Sequence, residues 1–274
     1  MSTTASPATT ENAPLLGEGV PLARMPAHWM LARLGKKVMR PGGLAPSLAM
    51  LDALKISSDD DIVDLWPGLG ITTERTLAAQ PRSYTAIERG RAESARVERL
   101  LNGSEQRSII APVHQTGLET GSASVVYGEA LLTLEASKRK VATVEEAARL
   151  LRSGGRYGIH ELLLTPNTLP EAAKDEIETT LTRVLHVLAR PLTADEWRRL
   201  LEERGFEVEF EQTGELLLLD VPTFLSDEGL LGSAAFLGRC LAHPSVLPRI
   251  TQLWTTFRRY RDHIGSIVMT ARRP

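Results

Sequence analysis

The sequence has a single cysteine, Cys240, in 274 residues. That excludes an internal disulfide framework and a zinc site built on several thiolates, and it fits a reducing compartment, so the cytoplasm is the expected location. An excess of one charge is lacking too: 32 Lys and Arg stand against 34 Asp and Glu, a formal net charge of −2. No broad field therefore favours nucleic-acid backbones or anionic lipid, and neither is an expected partner. Apolar runs fall short of the roughly 20 residues a membrane span needs. With the first arginine at Arg24, neither an anchor nor a secretory leader is expected. What is present, 42% hydrophobic and 24% charged residues, is ordinary globular composition with enough chain for a sizeable core.

Residues 1–20 are rich in Ser, Thr, Ala and Pro with little to bury, which predicts a disordered arm. Over 21–43, Trp29, Met30, Leu34 and Val38 recur near helical spacing with Arg33, Lys36 and Lys37 opposite. An amphipathic covering helix ending at Pro41 and Gly42 is expected there. Strand-like runs then alternate with helical sequence: Ile62–Trp66, Ser83–Glu88, Ser108–Val113, Ser124–Tyr127 and Tyr157–Leu163, followed later by Phe206–Phe210 and the closing "GSIVMTARRP". Such alternation implies an α/β fold with a mostly parallel sheet flanked by helices. Thr143 with Glu146, and Thr193 with Glu196, have the spacing of helix-opening capping boxes; the first would open a helix that stops at Gly154 and Gly155. Further helices are expected over about 168–190 and 228–262, as additions to one domain spanning 21–274.

The most informative stretch is "DIVDLWPGLGITTERTLAAQPRSYTAIERG", residues 61–90. A strand running into Gly68-Leu69-Gly70 and then a helix offers free backbone N–H groups and a positive helix end to a ligand. Glu88, ending the next strand, faces the same crevice, where a carboxylate can accept both hydroxyl hydrogens of a ribose. A dinucleotide fingerprint would place a third glycine at Thr73, so a nicotinamide oxidoreductase is disfavoured. Asp64, before the turn, suits a ligand carrying a positive amino group or sulfonium.

With Asp64, Gly68 and Gly70 in "DLWPGLG", Glu88, and the later "HQTGLETGSASVVYGEALLT", "AARLLRSGGRYGIHELLL" and "LTADEWRRLLEERGF", the chain resembles the class I (Rossmann-like) S-adenosylmethionine-dependent methyltransferases over roughly residues 45–215 and the final strand. The resemblance implies a seven-stranded sheet, parallel except for its last strand; the N-terminal and late helical additions, rich in Leu, Met, Phe and Trp, suit a lid over an organic substrate or a packing layer. It implies S-adenosyl-L-methionine as cofactor and S-adenosyl-L-homocysteine as product. Cofactor contacts would come from Asp64 at the amino group, from Pro67, Gly68 and Gly70 at the turn, from Glu88 at the ribose, and from Arg89, His114, Gln115 and Tyr127 farther along. His114 stands where the family often has an acid for the adenine amino group. Trp66 stands where the family's first glycine usually lies; ordinary extended backbone is expected at 66, with the indole narrowing the cavity beside the methionine tail.

Methyl transfer is an in-line displacement helped by alignment and exclusion of water, and it needs no metal in principle. Candidate bases sit at the carboxyl ends of the fourth and fifth strands: Glu129, His160 and Glu161. His28 and His186, on helices among apolar residues, are expected to be structural. The Asn- or Asp-Pro-Pro-aromatic signature of exocyclic-amine methylation is absent, since that place reads "YGEA". The pyrimidine-carbon type, which needs a proline-preceded cysteine, and the catechol type, with its clustered metal-binding acids, find no match either. A small organic acceptor is the expectation, with a homodimer left open. The alternative is a catalytically silent S-adenosylmethionine or nucleotide binding module, motivated by Trp66 and His114.

Overall fold

A computed structural model describes residues 15–274; the first fourteen positions of the expected N-terminal arm lie outside the described residues. The elements run α1 (Ala27–Arg33), α2 (Leu44–Leu54), β1 (Asp61–Leu65), α3 (Ile71–Ala78), β2 (Ser83–Glu88), α4 (Arg91–Glu98), β3 (Gln106–Ile110), β4 (Ala123–Glu129), α5 (Ser137–Leu150) and β5 (Leu151–Leu164). There follow α6 (Glu171–Leu185), the two-residue β6 (Leu192–Thr193), α7 (Ala194–Glu202), β7 (Glu207–Glu215), α8 (Val221–Ala242), α9 (Leu247–Arg259) and β8 (Ile264–Arg272).

The strands form one sheet in the order β3-β2-β1-β4-β5-β8-β7, with β6 beside β5. Every pairing is parallel except those of β8, which runs antiparallel to both β5 and β7. The expected α/β architecture is therefore present, with one short strand more than the seven foreseen. Because both faces are covered, the central strands are largely buried; β4 is buried at every residue. One face packs Val63, Leu65, Val126, Ile159 and Met269 with Trp197 of α7. The other packs Ile62, Val125 and Val268 with Met50 and Leu54 of α2, which approaches closely because Gly158 has no side chain. A Cβ there would lie 2.9 Å from Leu54 Cδ1. The α1, α6, α8 and α9 segments share a further core around Met30, Leu34, Val184 and Leu253.

Three local expectations are corrected. The covering helix is shorter than the apolar spacing suggested: α1 ends at Arg33, and Gly35, at φ +101°, turns the chain into an extended run before α2. Lys36 then lies buried rather than on a solvated face, 3.6 Å from Glu228 and over the ring of Phe224. Thr143 opens no helix. It sits inside α5, whose start at Ser137 has no side-chain cap, and its hydroxyl donates to Glu135 Oε2 at 2.6 Å. The spacing of Thr and Glu marks a helix start only where the Thr backbone is extended. That holds at Thr193, which caps α7 reciprocally with Glu196. Nor does α5 reach Gly154 and Gly155, which lie within β5.

Strand order reverses between β1 and β4, so the carboxyl ends of these neighbours open a crevice. Among the described residues no single helix is long and apolar enough to cross a membrane.

Candidate active site

Two non-glycine residues with left-handed backbone stand side by side at that crevice. Trp66 N donates to Ile87 O at 2.8 Å, the last ladder bond past β1, and the chain then turns through φ +66° at Trp66. Ala130 N donates to His160 O at 2.8 Å past β4, and Ala130 takes φ +51°. The expectation of extended backbone at Trp66 is thus corrected: the residue holds the conformation a glycine would adopt freely, at a cost of roughly 1–2 kcal/mol. Packing supplies the reason it persists. The indole lies 4.1 Å from the Arg89 guanidinium, edge-on to His28 at 6.1 Å, and against the core under β1. Trp66→Gly is therefore expected to unfold at higher urea than Trp66→Ala, by about 1 kcal/mol, since both lose the indole and only glycine relieves the backbone. Equal midpoints would contradict the left-handed turn.

The glycine turn follows. Gly68 and Gly70 have φ of +66° and +78°, and Gly70 begins α3. The left-handed backbone at Gly70 favours glycine, and a Cβ there would also displace the end of the Leu100 side chain. At Gly68 the surroundings are open and the backbone faces the crevice. Its N–H donates to Glu88 Oε1 at 2.7 Å, while Glu88 Oε2 is buried with no partner. Burial lifts the Glu88 carboxyl to about 8, the Gly68 N–H opposes, and the negative charges of Asp64 and Glu93 add to the rise. One oxygen is anchored and the other lacks a donor; the side chain is fully buried and is not among those lining the cavity over the turn.

A cavity of about 90 Å³ lies over this turn, lined by His28, Trp29, Arg40, Trp66, Pro67, Gly68, Thr72 and Glu129 among others. Two of these residues carry a buried polar atom without a partner, His28 Nε2 and Thr72 Oγ1, and Glu129 Oε1 makes an ion pair but no hydrogen bond. The Glu129 Oε1 faces Arg40 Nε at 3.2 Å, and Oε2 accepts from Ser47 Oγ of α2 and lies 3.3 Å from His160 Nδ1. Burial works against its charge, but Arg40, His160 and Ser47 outweigh it and hold the carboxyl down at about 2. Such a group is ionised and a weak base at neutral pH, suited to facing a cation rather than taking a proton.

The remaining sequence candidates are placed apart from the cavity. Asp64 is buried, its Oδ2 accepting from the hydroxyls of Tyr84 at 2.7 Å and Tyr127 at 2.8 Å. Burial lifts it to about 7 against those two bonds. Tyr127 itself is a core residue bonded to Thr76. His160 is fully buried, its Nδ1 3.0 Å from Ser47 Oγ, and does not line this cavity. Glu161 is fully buried and accepts the N–H groups of Leu131, Leu132 and Thr133 at 3.0, 2.8 and 2.9 Å, so it caps the 3-10 turn after β4. Arg89, ion-paired to Glu135 at 2.9 Å, lines a neighbouring cleft with Val113 and His114, and Gln115 is exposed beside it. The stacked Trp66 and Arg89 face the cavity and this cleft respectively.

Sequence reading missed His28, Arg40, Ser47 and Thr72. His28 gave a signal only as a histidine within an apolar helix; Arg40 and Ser47 acquire meaning from contacts with Glu129 far away in the chain, and Thr72 from an unpartnered hydroxyl in the cavity lining.

Comparison with known proteins identifies the architecture. No family model matches the sequence. An uncharacterized protein of Haemophilus influenzae is 26% identical over 211 residues, 75% of this chain and 82% of that one. Among solved structures, geranyl diphosphate methyltransferase in complex with GPP and sinefungin superposes with a TM-score of 0.62 at 15% identity, over 84% of this chain and 77% of that one. Phosphoethanolamine N-methyltransferase 2 of Haemonchus contortus, in complex with S-adenosyl-L-methionine, gives 0.64 at 15% identity, over 88% of this chain and 55% of that one. The cyclase SpnF gives 0.66 at 17% identity, over 92% and 93%. The fold is therefore the Rossmann-like fold of class I methyltransferases. A cyclase among its neighbours means that the fold alone does not fix the reaction.

Proposed function

We propose that the chain is an S-adenosylmethionine-dependent methyltransferase acting on a small organic acceptor. The observation that carries the reading is Glu88: one oxygen fixed by the Gly68 N–H, the other buried and unpartnered, at the carboxyl edge of the strand beside the glycine turn. A ribose diol supplies the donors that oxygen lacks. The residues present fit the cofactor in charge as well. Glu129 offers an ionised carboxylate to the cationic end of the donor, and Thr72 Oγ1, in the first turn of α3, offers an unpartnered hydroxyl nearby. When bound, the cofactor supplies a methyl group already activated on a sulfonium. The chain's own part is to bind and align: Glu88 and the turn hold the donor, Glu129 balances positive charge, and Trp66 and the α1 segment keep water from the cavity.

Thr73, where a dinucleotide fold would need glycine, is buried, with its hydroxyl 2.9 Å from that of Tyr84, which weighs against nicotinamide chemistry. A silent binding module remains the second reading, favoured by the strained Trp66 stacked between the two clefts.

Calorimetry with S-adenosylhomocysteine and with the nicotinamide dinucleotides, followed by incubation of methyl-tritiated S-adenosylmethionine with metabolite extracts, tests the reading. Homocysteine-form binding with label passing into extractable product is expected. Dinucleotide binding alone, or no binding at all, would overturn it; binding without transfer would leave the silent module.

A further inference from the structure

A second cavity, of about 90 Å³, adjoins the first and lies beneath α1, α6 and α9. His28, Met39, Ala130 and Leu134 line both, so the two are lobes meeting at one waist. Their linings differ in kind. Lys37, Arg40, Glu93 and Glu129 reach the first lobe, whereas the second is walled by aliphatic and aromatic side chains, among them Leu31, Leu162, Leu185, Leu253 and Phe257, with no charged residue. At the waist stands His28, ring against ring with Trp29 at 5.7 Å, its Nε2 buried and without a partner. Burial, with the positive Arg89 adding, brings the imidazole down to about 4, so it is uncharged at neutral pH.

We propose that the two lobes form a single acceptor chamber for an amphipathic molecule, with an apolar chain in the second lobe and one uncharged polar head, a hydroxyl or its like, hydrogen-bonded to His28 Nε2 at the waist. The head thereby faces the lobe over the glycine turn, where the donor methyl would be presented; this placement rests on the methyl-transfer reading above. An unpaired buried nitrogen costs free energy unless a ligand satisfies it, and a neutral imidazole can either donate or accept to do so. A charged head would be desolvated beside a ring that does not ionise to match it, and an apolar chain gains with each methylene removed from water. His28 holds the acceptor, and on transfer the S–CH3 bond would break as the O–CH3 bond forms while the hydroxyl proton passes to His28 Nε2, the unpartnered nitrogen it is bonded to.

The test is calorimetry on the full chain with hexanol, octanol and decanol, and with octylammonium and octanoate as charged counterparts. Affinity is expected to rise about 3- to 4-fold per methylene until the lobe is filled, and the charged heads to bind at least about tenfold more weakly. Val187→Trp, which fills the second lobe from its partly exposed wall, should abolish the increment. Leu218→Trp fills the same lobe from another segment and serves if the first variant does not fold. His28→Phe should weaken every alcohol about 5- to 10-fold and leave the increment per methylene intact. Affinity independent of chain length, equal binding of charged heads, or a lobe-filling variant that binds like the parent would overturn the chamber. S-adenosylhomocysteine affinity, measured on each protein, reports separately on the donor site. Its absence from the parent would remove the methyl-transfer reading while chain-length dependence kept the chamber.

Discussion

Replacing Glu88 by glutamine is expected to raise the dissociation constant of S-adenosylhomocysteine roughly 10- to 150-fold at pH 8, the loss of about 1.5–3 kcal/mol of charged hydrogen bonding. The substitution keeps the shape and the bond to Gly68 N–H, but it removes the charge and converts one acceptor into a donor. The parent should also show a pH dependence that the variant lacks. Burial raises the Glu88 carboxyl from 4.5 to about 8, so the free protein carries it protonated at pH 6 and about half ionised at pH 8. Ribose hydroxyls bind the ionised form. Affinity should therefore rise with pH, by roughly 50-fold between pH 6 and pH 8, with up to one proton released on binding. Stability of the free protein moves the other way. The folded carboxyl binds its proton more tightly than the unfolded one, so its contribution is full below about 4.5 and is lost as pH rises through about 8. Asp64, lifted to about 7 by burial, titrates in the same window, and the glutamine variant separates the two groups. A flat profile in the parent would show that Glu88 does not receive the diol as a carboxylate.

Glu161→Ala is expected to cost stability rather than chemistry. Three buried N–H groups, of Leu131, Leu132 and Thr133, lose their acceptor at once. With roughly 1–3 kcal/mol for each unsatisfied donor and some relaxation of the turn, the loss should be about 3–5 kcal/mol, or about 10 °C in melting temperature. That is a large part of the stability of an ordinary domain. An unchanged melting temperature with abolished turnover would return Glu161 to the catalytic role its sequence position suggested.

These two carboxylates show what could be read in advance. Glu88 was legible because its meaning is local: strand, glycine turn, helix and second strand run consecutively, and Ser83–Glu88 is a strand with the expected bounds. Glu161 was not, because adjacent strand residues point to opposite faces, and sequence does not say which side of β5 carries a ligand and which a loop to be capped. Glu129 lines the cavity, yet its heightened acidity depends on Arg40 and Ser47, remote in sequence and brought in by α2 and the run before it. Trp66 was noticed as a departure, but its left-handed backbone follows from a stack with Arg89 and His28 that no local pattern records. His28 was passed over because an apolar helix face looks the same whether it meets a core or a cavity.

A crystal structure of the chain with S-adenosylhomocysteine is the most direct measurement. Both ribose hydroxyls should meet Glu88 at Oε2, and the sulfur should lie in the cavity bounded by Trp66, Gly68 and Glu129. A ligand held elsewhere, or density at the turn showing Glu88 still bonded to Gly68 alone with the indole unmoved and no sulfur beside it, would contradict the assignment.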